Sequence, residues 1–534
     1  MPLPRLLPRP ALATLPILLI SLVLFALPLG WMALSLLADP HLAHISFSDS
    51  FRISLLARTL LYSLSAGVLA TLLAIPTARV LARGGGSPLG RISRALLLVT
   101  TPASLLIPSL VYAYGWKQTL RLLEISLDPA GPLDVLRCIF TLAAWLWGLV
   151  AICLALAWRR IDASIELQAR LDGASLRITA RLLATPLLLG TLVVTAIASQ
   201  EFSIFEPTGI SVTATETRTV FDSGAFSTPT LSATPAPSSQ SARAAAALRT
   251  ALPSLLVTLL LAAAAYLLAR HLLIRPDGAP DELHTSEVSP LWHLAAWLTL
   301  ALTLLTPLAA LLLSLKDPAS FLDWTTTFAP QLTGSLTVAV LTFLSASLLA
   351  AVATLAPPHL PPRLPLLLAV VTFLTGGLLT AIALIRIYNN PLTAPIYDSA
   401  AIALLAYLAR FGFLALLAAH ATFSPSLTRL RTLAHADGAT PLQTTLHVIL
   451  PATLPSLLSA AAAVALLSLG ELPATTLLAP QHPPLLTPLI MTWVHIQRYD
   501  PMIQASLLLT AVVLVISVIT AILSLVFQKY RSIG

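Results

Sequence analysis

Long apolar runs alternate with short polar ones along the whole chain. Counting stretches of about twenty apolar residues, the length that crosses a bilayer as a helix, predicts spans near 11–37, 54–82, 92–116, 138–158, 181–200 and 246–270, then near 291–315, 332–356, 365–387, 399–421, 451–472 and 503–528. That makes six and six. The polar stretch His271 to Pro290 (HLLIRPDGAPDELHTSEVSP) divides the two sets, so the chain reads as a first repeat over 1–270, a linker over 271–290 and a second repeat over 291–534. Six spans return the chain to the side it left, so the repeats run parallel, related by an axis along the membrane normal. The expected fold class is an all-α polytopic membrane protein of about twelve transmembrane helices.

One polar stretch occurs twice. Glu166 to Pro186 (ELQARLDGASLRITARLLATP) and Arg431 to Pro451 (RTLAHADGATPLQTTLHVILP) align without a gap at an offset of 265. The alignment matches Ala169 with Ala434, Asp172 with Asp437, Gly173 with Gly438, Ala174 with Ala439, Thr179 with Thr444 and Pro186 with Pro451. Each copy predicts a helix, a glycine turn, a second helix and a proline opening a span. Glycine tolerates the left-handed conformation that ends a helix, Ser175 or Thr440 can cap the next one, and Pro441 suits a first helical position.

Composition removes the soluble alternatives. The chain is 57% hydrophobic and 10% charged, with a mean hydropathy of +0.89, so lipid has to be its solvent. The net charge of +8 reads as topology and not as a nucleic-acid footprint, because the basic residues stand singly along span flanks. With the N-terminus inside, cytoplasmic segments hold 18 of the 30 Lys and Arg, among them Arg79, Arg83, Arg159, Arg160, Arg429 and Arg431. Both duplicated loops then lie in the cytoplasm, as do both termini. Arg5 and Arg9 precede an apolar run longer than a signal peptide's, so the run is expected to be a first span. Cys138 and Cys153 are expected to be core residues of one helix, too far apart for a disulfide.

A second polar insertion, Glu201 to Arg243, falls on the external side and ends in the low-complexity stretch STPTLSATPAPSSQSA, expected to be mobile. Its counterpart, Ala479 to Asp500, is shorter.

Few motifs carry chemistry. The run GGGSPLGRI (Gly84 to Ile92) approaches a phosphate loop, but Arg91 and Ile92 stand where Lys and Ser/Thr are needed. It reads as a turn between spans. No zinc-ligand spacing and no GxSxG elbow occurs, so no catalytic and no metal-binding residue is assigned. Ionisable groups near membrane depth are candidates for a translocation path: Glu201, Glu471, Arg386 and Arg410, the two arginines clustering with Asp398. The alternative is that the acids sit solvated or capping turns at the interface, and that the arginines snorkel.

The duplicated spacing of Ala, three residues, Gly, then Pro thirteen on resembles the EAA loop of ABC importer permeases. It departs from that family at the Glu six residues before the Gly, which is Leu167 in one copy and Thr432 in the other, with Glu166 one position away. SQEFSIFEPTG and SLGELPATTLL around the two glutamates, and LIPSLVYAYGW (Leu106 to Trp116), look like segments of the fused permeases of iron(III) and thiamine type. The resemblance implies the type I ABC importer permease fold in a bacterial cytoplasmic (inner) membrane. It implies two copies of a cytoplasmic ATPase docking at Ala169, Asp172, Gly173, Ala174 and Pro186 and at Ala434, Asp437, Gly438, Ala439 and Pro451. An external, periplasmic binding protein would deliver the solute. ATP and magnesium would reside on the ATPase and no cofactor on this chain, which is then a transport subunit and not an enzyme. Iron(III) is the first choice of cargo, with thiamine or another small solute or anion as alternatives. A rival of another class, an ion-coupled secondary transporter, calls for discontinuous helices or acid pairs at the midplane.

Overall fold

In bilayer hydrocarbon a helix satisfies its own backbone hydrogen bonds, and every regular element among the described residues is helical. The computed structural model describes residues 9–38, 50–225, 239–273, 288–315, 323–356, 363–480 and 482–531. In chain order the first helices are α1 (Leu15–Leu37), α2 (Ser50–Arg83), α3 (Pro88–Leu106), α4 (Ser109–Leu122), α5 (Pro132–Arg159), α6 (Ala163–Leu171), α7 (Ser175–Ala198), α8 (Thr213–Ser223) and α9 (Gln240–Leu273). There follow α10 (Pro290–Leu313), α11 (Ala329–Thr354), α12 (Arg363–Leu374), α13 (Gly376–Tyr388), α14 (Ala400–Ala421), α15 (Pro425–Ala436), α16 (Pro441–Leu469), α17 (Pro473–Leu478), α18 (Leu486–His495) and α19 (Tyr499–Arg531). Ten helices among the described residues are long and apolar enough to cross a bilayer, or up to twelve if each of two bent pairs counts as one span. The chain is a multi-pass helical membrane protein.

Polarity is arranged for lipid. Leu34, Leu61, Leu72, Leu260 and Leu348 are exposed, while Thr101, Thr141, Thr342, Thr372 and Thr380 are fully buried. Four of these five hydroxyls donate within their own helix, as where Thr141 donates to the Arg137 carbonyl at 2.7 Å and Thr342 to the Val338 carbonyl at 2.7 Å, while Thr101 Oγ1 has no hydrogen-bond partner among the described residues. Small residues bring backbones together. A Cβ at Gly115 would stand 2.6 Å from Pro307 Cβ, and one at Gly67 2.8 Å from the Thr191 carbonyl oxygen.

Two spans expected to be continuous are sharply broken. α3 and α4 meet at 97°, and α12 and α13 at 104°. The first break follows from Pro108, which has no N–H to continue the ladder and holds Ile107 extended (ψ 133°). The second follows from Gly376 at φ +82°, a conformation that side chains with a Cβ avoid. Prolines elsewhere are absorbed. Three π-helical turns, Leu22–Ala26, Ala301–Leu305 and Thr445–Ile449, each end two residues before a proline, Pro28, Pro307 and Pro451. The widened turn relieves the clash of the proline ring with the preceding carbonyls.

The helices form two compact units, one of residues 43–318 with 499–514, the other of residues 1–42 with 319–498 and 515–534. In the first, α2 packs on α5 and α7, and α10 on α2 and α4. In the second, α11 packs on α14 and α16, and α1 on α11, α12 and α13. Ile17, Leu24 and Phe25 of α1 lie in one buried cluster with Ala346, Leu349, Phe411 and Val464. The units therefore do not follow the two halves of the chain: α1 belongs with the later helices and α10 with the earlier ones.

Part of the stretch read as an external insertion is integral to the fold. Phe202, Ile204, Phe205, Val212, Thr213, Val220 and Phe221 are buried, and α8 packs on α9. Most of the low-complexity stretch, residues 226–238, and most of the linker, residues 274–287, lie outside the described residues.

Candidate functional site

Both duplicated loops fold as helical elbows with the same turn. Gly173 stands at φ +66° and Gly438 at φ +86°. The Ala174 amide donates to the Ala169 carbonyl at 2.9 Å and the Ala439 amide to the Ala434 carbonyl at 3.0 Å. This six-to-one bond across a left-handed glycine closes the end of the first helix. The matched alanines of the two copies are thus the bonding partners of one motif, and the matched glycines its left-handed turn. Asp172 and Asp437 are exposed at the turn. Beyond the chain neighbours, no atom of the described residues comes within 4 Å of a Cβ built at either glycine, so conformation and not crowding requires glycine there.

The second helix of each elbow differs from the expectation. Thr440 caps α16 in a capping box, accepting from the Gln443 amide at 3.3 Å, with Gln443 Oε1 accepting from the Thr440 amide at 2.9 Å. In the first copy Ala174 takes the cap position, without a side-chain oxygen, and Ser175 is already helical. Neither proline opens a span. Pro186 lies inside α7, and Pro451 follows the π turn inside α16, so each elbow's second helix runs straight into its span. Continuity was hidden by reading proline as a start signal where the backbone tolerates it internally.

The elbows are held by opposite charges at one position. Glu166 is buried, its oxygens accepting from Arg79 Nη1 at 2.9 Å each and from Trp158 Nε1 at 2.7 Å, with Arg83 Nη2 3.7 Å away. At the matching position Arg431, also buried, donates to the Thr422 carbonyl at 2.8 Å and stacks 4.5 Å from the Phe423 ring. Burial among apolar groups lowers its pKa from the ordinary arginine value.

The two glutamates occupy corresponding places. Glu201 follows the end of α7 and its amide bonds to the Ala198 carbonyl at 3.1 Å; Glu471 follows the end of α16 and its amide bonds to the Ser468 carbonyl at 3.3 Å. Each side chain is buried at a broken span. Glu201 Oε1 accepts from Ser109 Oγ, at the start of α4, and from the Ser203 amide, both at 2.9 Å. Glu471 Oε2 lies 2.9 Å from Arg410 Nε, and its Oε1 accepts from the Ala474 amide at 3.0 Å. Arg410 Nη1 has no hydrogen-bond partner among the described residues, and both side chains press on Gly377 at the start of α13, where an added Cβ would overlap them. Tyr407 Oη shares a 3.0 Å hydrogen bond with Thr475 Oγ1 beside this pair.

The correspondence continues past the glutamates. The first amide of α8, Thr213, donates to Thr59 Oγ1 at 3.0 Å, and the first amide of α18, Leu486, donates to Ser335 Oγ at 2.9 Å. Thr59 is on α2 and Ser335 on α11, helices in matching positions in the two units.

The expected cluster of Arg386, Asp398 and Arg410 does not form. Asp398 is exposed and nothing among the described residues joins it or Arg386 to Arg410, whose partner is Glu471. Ser109, Ser203 and Gly377 escaped the sequence reading, although Pro108 and the Gly376-Gly377 pair were legible as punctuation. GGGSPLGRI ends α2 and opens α3, with the Gly90 amide donating to Ser87 Oγ at 3.1 Å. Among the described residues no three His, Cys, Asp or Glu side chains are grouped to hold a metal ion. No protein-family model matches the chain, and no curated protein or solved structure shows significant similarity to it.

Proposed function

We propose that this chain is the membrane permease subunit of an ABC importer, moving a small solute inward by alternating access driven by a separate ATPase. The observation that carries the reading is the duplicated elbow. Two stretches 265 residues apart close with the same glycine turn, keep the same exposed aspartate, and run without a break into a span. A single such turn is ordinary; two at matching places in two similarly built units suit a partner with two equivalent clefts. Iron(III) remains the first choice of cargo, by resemblance of the segments around Glu201 and Glu471, with thiamine or another small solute or anion behind it. In this reading a periplasmic binding protein supplies the solute, and rigid-body rocking of packed helices changes the side the path faces.

Valine at either elbow glycine meets its own backbone at positive φ, a local cost of about 1–3 kcal/mol, and re-aims the loop. Gly173→Val, Gly438→Val and the double variant are expected to insert normally and to lose recovery of the ATPase, most completely in the double. Native mass measurement of the wild-type assembly should give one copy of this chain with two ATPase subunits. Full ATPase recovery and transport in the double variant would remove the main support.

The broken spans favour a second reading. Discontinuous helices with a buried acid at the break are the construction expected of ion-coupled carriers. In proteoliposomes holding chain and ATPase, uptake that requires ATP and survives collapse of ion gradients fits the importer. Uptake by the chain alone, abolished by collapse of the gradient, fits the carrier.

A further inference from the structure

The two elbows carry one turn but different anchors. Trp158 and Phe423, like Glu166 and Arg431, stand at the same positions of the two copies, 265 residues apart. In the first copy the anchor is long-range. Arg79 and Arg83 reach Glu166 from the last turns of α2, Arg83 also donates to the Ile161 carbonyl, and Arg159 donates back to the Leu81 carbonyl at 2.8 Å. The Arg79 guanidinium lies 4.9 Å from the centre of the Trp158 ring. The end of α2, the end of α5 and the start of α6 are thereby one charge-paired block. In the second copy the anchor is local. Among the described residues Arg431 holds the Thr422 carbonyl and the Phe423 ring, at the end of the preceding α14, and its Nη2 has no partner. The helix matching α2 is α11, which carries no charged residue at all.

We infer that Glu166 is a positioning residue that locks the first elbow to α2, and that the second elbow, which has no such lock among the described residues, is the compliant one of the two. The inference rests on the importer reading only for what presses on the elbows. Mechanically, displacement of α6 carries α2, the helix on which α5, α7 and α10 pack, whereas α15 is tied to the end of α14 through Arg431 and packs on the start of α16, with no charge pair to α11 among the described residues. One elbow drives its unit through a rigid link and the other through a yielding one.

Hydrogen exchange on the purified full-length chain tests this directly. Protection factors in α6 should exceed those in α15 by at least tenfold. Glu166→Gln, which keeps the shape and removes the charge, should speed exchange over 163–174 at least tenfold and leave 425–439 unchanged. Glu166→Asp should restore most of the protection. Arg431→Met should speed exchange in 425–439 and leave the end of α2 untouched. Should Glu166→Gln fail to fold, Arg83→Gln should give a smaller acceleration confined to the same segment. Equal protection in the two wild-type elbows, or unchanged exchange over 163–174 in both charge variants, overturns the lock. Accelerated exchange in a chain that recovers no ATPase overturns the importer reading and leaves the lock standing.

Discussion

At the scale of single residues, the candidate path is held by a side-chain pair and the glycine beneath it. Gly377 faces Arg410 and Glu471 so closely that a methyl group there must displace both side chains. Their contacting atoms are ends of flexible chains, so the pair can give way while the helices stay. Gly377→Ala is expected to cost about 1–3 kcal/mol, the range for overfilling a packed site, and to open the Arg410–Glu471 contact. If the proposed transport function holds, transport should fall at least tenfold with the amount of folded protein unchanged; transport at the normal rate would mean the pair is not on the path. The glutamates themselves could be picked out from the sequence, because acids near the ends of apolar runs are rare. Their partners could not. Ser109 is an unremarkable residue until Pro108 turns the chain, and Arg410 gave no sign that it would meet Glu471 and not Asp398. Pairing across helices depends on rotation about each helix axis, which span counting leaves open.

Elements were legible to the extent that one-dimensional hydrophobicity defines them. Ten of the twelve expected spans are single helices near the expected bounds. The two exceptions are those whose apolar run contains a backbone break that hydropathy does not register. The breaks rest on different chemistry, and that yields an asymmetric expectation. Ile107 and Pro108 occupy extended backbone that any residue adopts, so Pro108→Ala should cost under about 1 kcal/mol. Gly376→Ala places a Cβ at φ +82° and should cost about 1–3 kcal/mol. Thermal midpoints of the two purified variants check this, and a larger drop for Pro108→Ala would contradict the assignment. Within the elbows, the glycine turns followed from the DGA repeat, whereas the prolines misled: a π turn lets Pro451 sit inside a span.

For the whole molecule, the repeat in the sequence and the units in space are different divisions. Cutting the chain in the linker gives fragments 1–280 and 281–534. The first keeps α1 but loses α10, and the second keeps α10 but loses α1, so each fragment lacks a helix that its own unit packs around. Expressed alone, each should be degraded or aggregate; expressed together, they should be recovered as a pair from detergent. Monodisperse, stable 281–534 on its own would show that α1 is dispensable. Nothing in the apolar pattern foretold this exchange, because a span carries no record of which neighbours it will pack against. Its consequence concerns birth order. A chain leaves the ribosome in N-to-C order, so α1 enters the bilayer before its neighbours in space: the helices that cover Phe25 begin only at Ala329. α1 must therefore wait in lipid while the residues between it and Ala329 are made. Until then the packing that buries Phe25 is missing, and the apolar surface of residues 15–37 is what that wait in lipid requires.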